Sequence, residues 1–171
     1  MISKPYLLFL GDAKDELAIK TAAGINYWRP EWCIGQMSLP NAKSSLGINE
    51  ISLEEAVKRG AKTFVLGVVN AGGKMPEGWI DIIVKAISLG LNIASGMHSR
   101  LSSFDEISKA AIKHGVKLHD LRYNNIEFDT GKGLKRTGKR LLTVGTDCSV
   151  GKKYTALAVE RAMLEKNMKV S

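Results

Sequence analysis

Short apolar runs alternate with amphipathic stretches along the first three-quarters of the chain. Tyr6–Leu10 is continuously apolar and predicts a strand. After it, Leu17, Ile19, Ala23 and Ile25 recur within a stretch that predicts a helix from Asp12, its cap, to about Asn26. Trp32–Met37 is a weaker strand. Ser52-Leu53-Glu54-Glu55 has the form of a capping box, in which hydroxyl and carboxylate each satisfy a free backbone N–H, and the helix it opens ends at Gly60. Thr63–Val69 is β-branched and unbroken, as a strand buried on both faces is. Pro76 suits the first turn of the next helix, which ends at Gly90. Leu91–Ser95 is the next strand. Ser103-Phe104-Asp105-Glu106 is a second capping box, its helix ends at Gly115, and Val116–Leu121 follows as a strand.

Three helices therefore stop at glycine, each followed closely by an apolar run. That order, with short joints, means parallel strands with helices on their faces. Residues 1–123 are expected to form a Rossmann-like, doubly wound α/β domain. Residues 124–140 break the pattern with a polar, glycine-containing, basic stretch that reads as a linker. Residues 141–171 read as the beginning of a P-loop NTPase-like α/β domain: a strand at Leu141–Val144, a loop, a helix from Lys153 to about Lys166, and a strand starting at Lys169-Val170-Ser171. One strand, one helix and a stub cannot bury a core of their own. The unit either packs on the first domain or, as expected here, belongs to a longer protein.

Composition narrows the class. Of 171 residues, 44% are apolar and 25% charged, which excludes disordered and fibrous chains. No apolar stretch is long enough to span a bilayer, and the opening run lacks the shape of a signal peptide. Two cysteines, Cys33 and Cys148, make no disulfide framework, so a reducing cytoplasm is the expected compartment. They and the three histidines show no metal-ligand spacing, and no metal site is expected. The net charge of +8 is uneven: seven basic residues and one acid lie between Lys132 and Lys153. Such a cluster points to an anionic partner. Lys132, Lys135, Arg136, Lys139 and Arg140 are either a solvated linker or a flank that draws anions in. Aromatics do not interleave with them, which argues against nucleic acid. A homo-oligomer stays open.

The strongest chemical signal is Gly145-Thr146-Asp147-Cys148-Ser149-Val150-Gly151-Lys152-Lys153, between an apolar run and a predicted helix. Glycines let backbone wrap an anion, N–H groups point inward, the helix N-terminus adds positive field, and a lysine reaches the outer phosphates. The loop departs from the common pattern twice. Five residues separate its glycines instead of four, and Lys153 stands where Ser or Thr normally ligates magnesium. Thr155, two positions later, would point elsewhere, and a second cation suits an extra phosphate better than a metal ion. The loop can take ATP or the nucleotide end of acetyl-CoA. The bland reading is a glycine-rich turn at a domain entrance. Cys148 lies near the helix N-terminus and two lysines, which lowers a thiol pKa; a small residue that fits the loop is the plainer account.

The spacing Gly-Thr-Asp-x-x-Val-Gly-Lys resembles the loop of dethiobiotin synthetase and its P-loop relatives. With the α/β domain before it, the run Val144-Gly145-Thr146-Asp147-Cys148, Ser95-Gly96-Met97-His98, Asp120-Leu121-Arg122 and Asn70-Ala71-Gly72-Gly73, the chain resembles a bacterial and archaeal two-domain family long of unknown function. That family once carried the label of an NAD-dependent epimerase/dehydratase, and members have been assigned as D-glutamate N-acetyltransferases that use acetyl-CoA. The resemblance runs over essentially the whole chain, and family members are about twice as long. It implies acetyl-CoA-dependent N-acetylation of a small acidic amino acid.

The NAD label fails a physical check. The turn Gly11-Asp12-Ala13-Lys14-Asp15 has one glycine, not the set that admits a pyrophosphate, and no acid ends the second strand. Ligands of such sheets sit beyond the carboxyl ends of the strands. There, His98 is a candidate general base for an amine and Arg122 a candidate bidentate clamp for a carboxylate. Each also has a structural reading: His98 as a hydrogen-bonded structural histidine, Arg122 as partner of Asp120, Gly72-Gly73 as a turn before Pro76. His114 and His119 read as structural and Cys33 as core. Two rival functions remain: an ATP-dependent ligase or kinase-like enzyme, and a non-catalytic nucleotide-sensing module.

Overall fold

Every residue of the first apolar run is buried, and the strand it forms, β1 (Tyr6–Gly11), has a neighbour on each edge. In the computed structural model, which describes residues 2–69, 73–123, 133–134, 137–146 and 151–170, the chain divides into two compact units, Met1–Asn125 and Ile126–Ser171.

The first unit holds a five-stranded sheet in the order β2-β1-β3-β4-β5, with β2 Cys33–Ser38, β3 Thr63–Leu66, β4 Asn92–Ser95 and β5 Leu118–Asp120. Every pairing is parallel, with Leu8 opposite Gln36 on one side and Val65 on the other. Parallel strands need crossovers, and α1 (Lys20–Trp28), α2 (Leu53–Lys58), α3 (Ile80–Ser88) and α4 (Asp105–His114) supply them. The α/β, doubly wound expectation holds. The core gathers Leu7, Phe9, Phe64, Ile83, Ile87 and Ile93. The Phe9 ring lies 5.0 Å from that of Phe64 and edge-on to Trp79 at 5.1 Å. Strand order reverses between β1 and β3, which opens a crevice at their carboxyl ends.

The structure corrects several sequence expectations. The first helix begins at Lys20, and Asp12 caps nothing. A helix running from Asp12 would bond Ala22 N–H to Ala18 C=O. Instead Ala22 N–H donates to Gly67 C=O at 3.1 Å, and Ala18 C=O accepts from Val69 N–H at 2.7 Å. Asp15 Oδ1 accepts from Ala18 N–H at 2.8 Å and holds the turn. Residues 12–19 are thus stitched as a loop to the end of β3. Gly67 permits the stitch, since a Cβ there would stand 2.4 Å from Ala22 Cβ.

Ser52 does cap α2, accepting from Glu55 N–H at 3.1 Å, while the Glu55 carboxylate accepts from Arg59 Nε. Ser103 caps nothing: it sits in a 3₁₀ turn, Leu101–Ser103, and its hydroxyl donates to Arg100 C=O. Helix α4 is entered from Phe104 without a side-chain cap and leaves through Gly115 at φ +65°. Pro76 precedes a 3₁₀ turn, Glu77–Trp79, that leads into α3.

In the second unit one long helix, α5 (Lys152–Glu165), forms as expected. Leu141–Val144 does not form a strand, and Leu141, Leu142 and Val144 are exposed. A parallel strand needs a partner for its N–H and C=O groups, and no described residue pairs with it. Lys169 and Val170 have no regular structure, and Ser171 lies outside the described residues.

Candidate functional site

Two places carry chemistry, one in each unit. In the second unit Gly151 sits at φ +89° directly before α5, a conformation that glycine adopts without strain. Lys152 is then the first helical residue and Lys153 the second. Thr143 Oγ1 donates to Lys152 C=O at 2.9 Å, which ties the chain before the loop to the chain after it. Gly145 and Thr146 are exposed. Asp147, Cys148, Ser149 and Val150 lie outside the described residues. Lys153 Nζ lies 5.9 Å from the centre of the Tyr154 ring. Thr155 Oγ1 donates to Gly151 C=O at 3.2 Å, so the hydroxyl after the lysine pair turns to the helix backbone. A helix N-terminus opened by a left-handed glycine and two lysines is a place for a phosphate.

In the first unit the turns after β3, β4 and β5 converge. Val68, Val69, Gly73, Gly96, Met97, His98 and Arg122 line a cavity of about 340 Å³. His98 and Arg122, separated by 24 positions in sequence, therefore share one pocket wall. Two hydrogen bonds and one packing contact hold His98. Its N–H donates to Gly73 C=O at 2.8 Å, its C=O accepts from the Tyr123 hydroxyl, and its ring lies against Gly73. A Cβ on Gly73 would come 2.3 Å from His98 Cδ2, and Gly73 has φ +62°. Arg122 Nε donates to Gly96 C=O at 3.2 Å, and the residue is exposed. Asp120 Oδ1 accepts from Leu101 N–H at 2.8 Å, a structural duty that steadies the same turn. Asn70, Ala71 and Gly72 lie outside the described residues.

Sequence reading missed Tyr123 and Arg100. The Arg100 guanidinium lies 4.2 Å from the centre of the Tyr123 ring, whose hydroxyl donates to His98 C=O, so the pair braces the His98 turn. Only adjacency to Arg122 and His98 could have signalled them.

Gly11, the last residue of β1, is covered by a side chain. A Cβ on Gly11 would stand 2.3 Å from Trp79 Cζ2, so the indole covers the backbone that a dinucleotide pyrophosphate approaches in dinucleotide-binding sheets. Among the described residues, no group of three His, Cys, Asp or Glu could hold a metal ion. Burial pushes the Cys33 thiol up to about 11, with Glu31 adding to the shift. His119 is held below the ordinary imidazole value, first by burial and then by Lys117. His114 is exposed in the last turn of α4. No helix among the described residues is long and apolar enough to cross a membrane.

Comparison with known proteins places these features in a family. Residues 38–124 match the Rossmann-like N-terminal domain of DUF1611, a domain of unknown function, and residues 127–171 match its C-terminal P-loop domain. A protein of a Pseudoalteromonas species named D-glutamate N-acetyltransferase is 53% identical over 169 residues, which cover 99% of this chain and 51% of that one. A protein of the same name from Tritonibacter scottomollicae is 48% identical with the same coverage. The chain thus spans about half the length of these curated relatives. A crystal structure of a DUF1611 family protein from Anabaena variabilis superposes with a TM-score of 0.70 at 23% identity, covering 96% of this chain and 51% of that chain. It shows the same fold.

Proposed function

The chain belongs to the DUF1611 family, and from that premise we propose that the protein of which these residues form part transfers an acetyl group from acetyl-CoA to the amine of a small acidic amino acid, D-glutamate. The observation that carries this reading is the identity of about half of all positions, across nearly the whole chain, to two proteins named for that activity. The geometry of each unit is compatible with it.

The Gly151–Lys153 corner takes a phosphate of CoA on backbone N–H groups at the start of α5, with the Lys152 and Lys153 ammonium groups beside it. Gly145, Thr146, Asp147, Cys148, Ser149 and Val150 complete that loop in sequence. The His98–Arg122 cavity, at about 340 Å³, is of a size for a small amino acid. Arg122 offers its fork to a carboxylate. His98 accepts the proton that the substrate ammonium must lose before it can attack. The amine nitrogen then bonds to the thioester carbonyl carbon, the C–S bond breaks, and CoA leaves as a thiolate that takes up a proton.

The test is the product. Full-length protein incubated with acetyl-CoA and either D-glutamate or L-glutamate is expected to yield N-acetylglutamate, identified by mass spectrometry, from the D enantiomer. Absence of acetylated product from D-glutamate in a folded preparation would overturn the reading.

A further inference from the structure

The crevice between β1 and β3 is a second cavity of about 490 Å³, lined by residues 12–15 and 17–18 of the loop after β1 and by Lys20, Val68, Val69, Pro76 and Trp79. It stands where strand order reverses, the place at which doubly wound sheets take their ligands. Its residues are not those assigned above to catalysis, although Val68 and Val69 wall both cavities.

Its chemistry is mixed and electrically balanced. Asp12, Asp15, Lys14 and Lys20 sum to zero charge. Asp12 and Lys14 form an open pair at 3.7 Å with both side chains about half exposed. Lys20 opens α1, is exposed, and has no ion-pair partner among the described residues. Two apolar side chains on the wall are left to water, Leu17 at 71% and Val69 at 39% exposure. A nucleotide would bring several negative charges to two carboxylates, with Trp79 already covering the Gly11 backbone. A purely apolar ligand would strand the charges. A small zwitterion with an apolar tail matches Lys20, Asp12 and the two exposed apolar side chains, while Asp15 and Lys14 keep their bonds to Ala18 N–H and Asn41 C=O.

We propose that this crevice binds a free α-amino acid with an apolar side chain. Its carboxylate pairs with Lys20, its ammonium with Asp12, and its side chain covers Leu17 and Val69. The site is independent of the acetyltransferase reading.

The test titrates full-length protein by calorimetry with leucine and phenylalanine, each enantiomer separately, with glutamate and AMP as counter-probes. An apolar amino acid is expected to bind with Kd below about 1 mM. Lys20→Glu and Leu17→Asp should each weaken it at least about tenfold, while Lys152→Ala leaves it unchanged. Leu17 is exposed and outside every helix and strand, so Leu17→Asp reports on the site even if Lys20→Glu disturbs α1. No binding of either apolar amino acid, binding insensitive to both substitutions, or tighter binding of glutamate or AMP that Lys20→Glu and Leu17→Asp weaken would each overturn the proposal.

Discussion

A methyl group on Gly73 would meet the His98 ring at 2.3 Å and would have to tolerate φ +62°. Gly73→Ala should therefore destabilise the first unit by about 1–2 kcal/mol, read from denaturant unfolding. It should also lower turnover with D-glutamate, because the ring it displaces is the proposed base. Arg122 acts differently. Arg122→Ala should raise KM for D-glutamate about tenfold or more while changing kcat less, and Arg122→Lys should restore little, because a lysine cannot present the planar fork. His119 gives a pH signature. Its folded-state pKa is depressed by burial, so the fold prefers the neutral ring. That contribution is present above the ordinary imidazole value and is lost as pH falls through and below it. Denaturant midpoints measured from about pH 7.5 down to about pH 5 should decline, and His119→Gln should flatten part of the decline. At this scale the sequence showed which side chains had useful chemistry. It could not show that Tyr123 and Arg100 brace His98, because that contact joins residues from two separate turns.

The helices show where local rules suffice and where tertiary bonds override them. Ser52 and Ser103 carry the same capping pattern in sequence, yet only Ser52 bonds the third backbone N–H beyond it. Ser52→Ala should cost about 1 kcal/mol, and Ser103→Ala within about 0.5 kcal/mol of nothing, both by urea unfolding. A larger loss at Ser103 would contradict the observed 3₁₀ turn. The start of α1 fails locally for a visible reason: Gly67 and Val69 take the two backbone groups that a longer helix would have paired internally. Apolar spacing marks which residues face the core, but it does not reveal a competing bond from a strand more than forty positions away. The displaced loop is what lines the crevice at the strand reversal, so the mismatch between pattern and helix marks the proposed second site.

Across the whole molecule, β1 and β3 of the first unit were legible as continuous apolar runs, and the weaker β2, β4 and β5 from the turn and helix signals that flank them. Their order was not in the pattern, yet it decides where the crevice opens. In the second unit the helix was legible and the expected strand did not form, because Leu141–Val144 needs neighbours that no described residue provides; residues 147–150 of the loop lie outside the described residues. Half the length of the named relatives lies outside the match, and Gly151, Lys152 and Lys153 are the part of the proposed CoA site that the described residues include. The most direct measurement is thiol release from acetyl-CoA by full-length protein and its Lys152→Ala variant, with D-glutamate as acceptor, with and without magnesium-ATP. The account predicts release that depends on D-glutamate, ignores magnesium-ATP and falls at least about tenfold in the variant. Release that requires magnesium-ATP, or that the variant leaves intact, would contradict it.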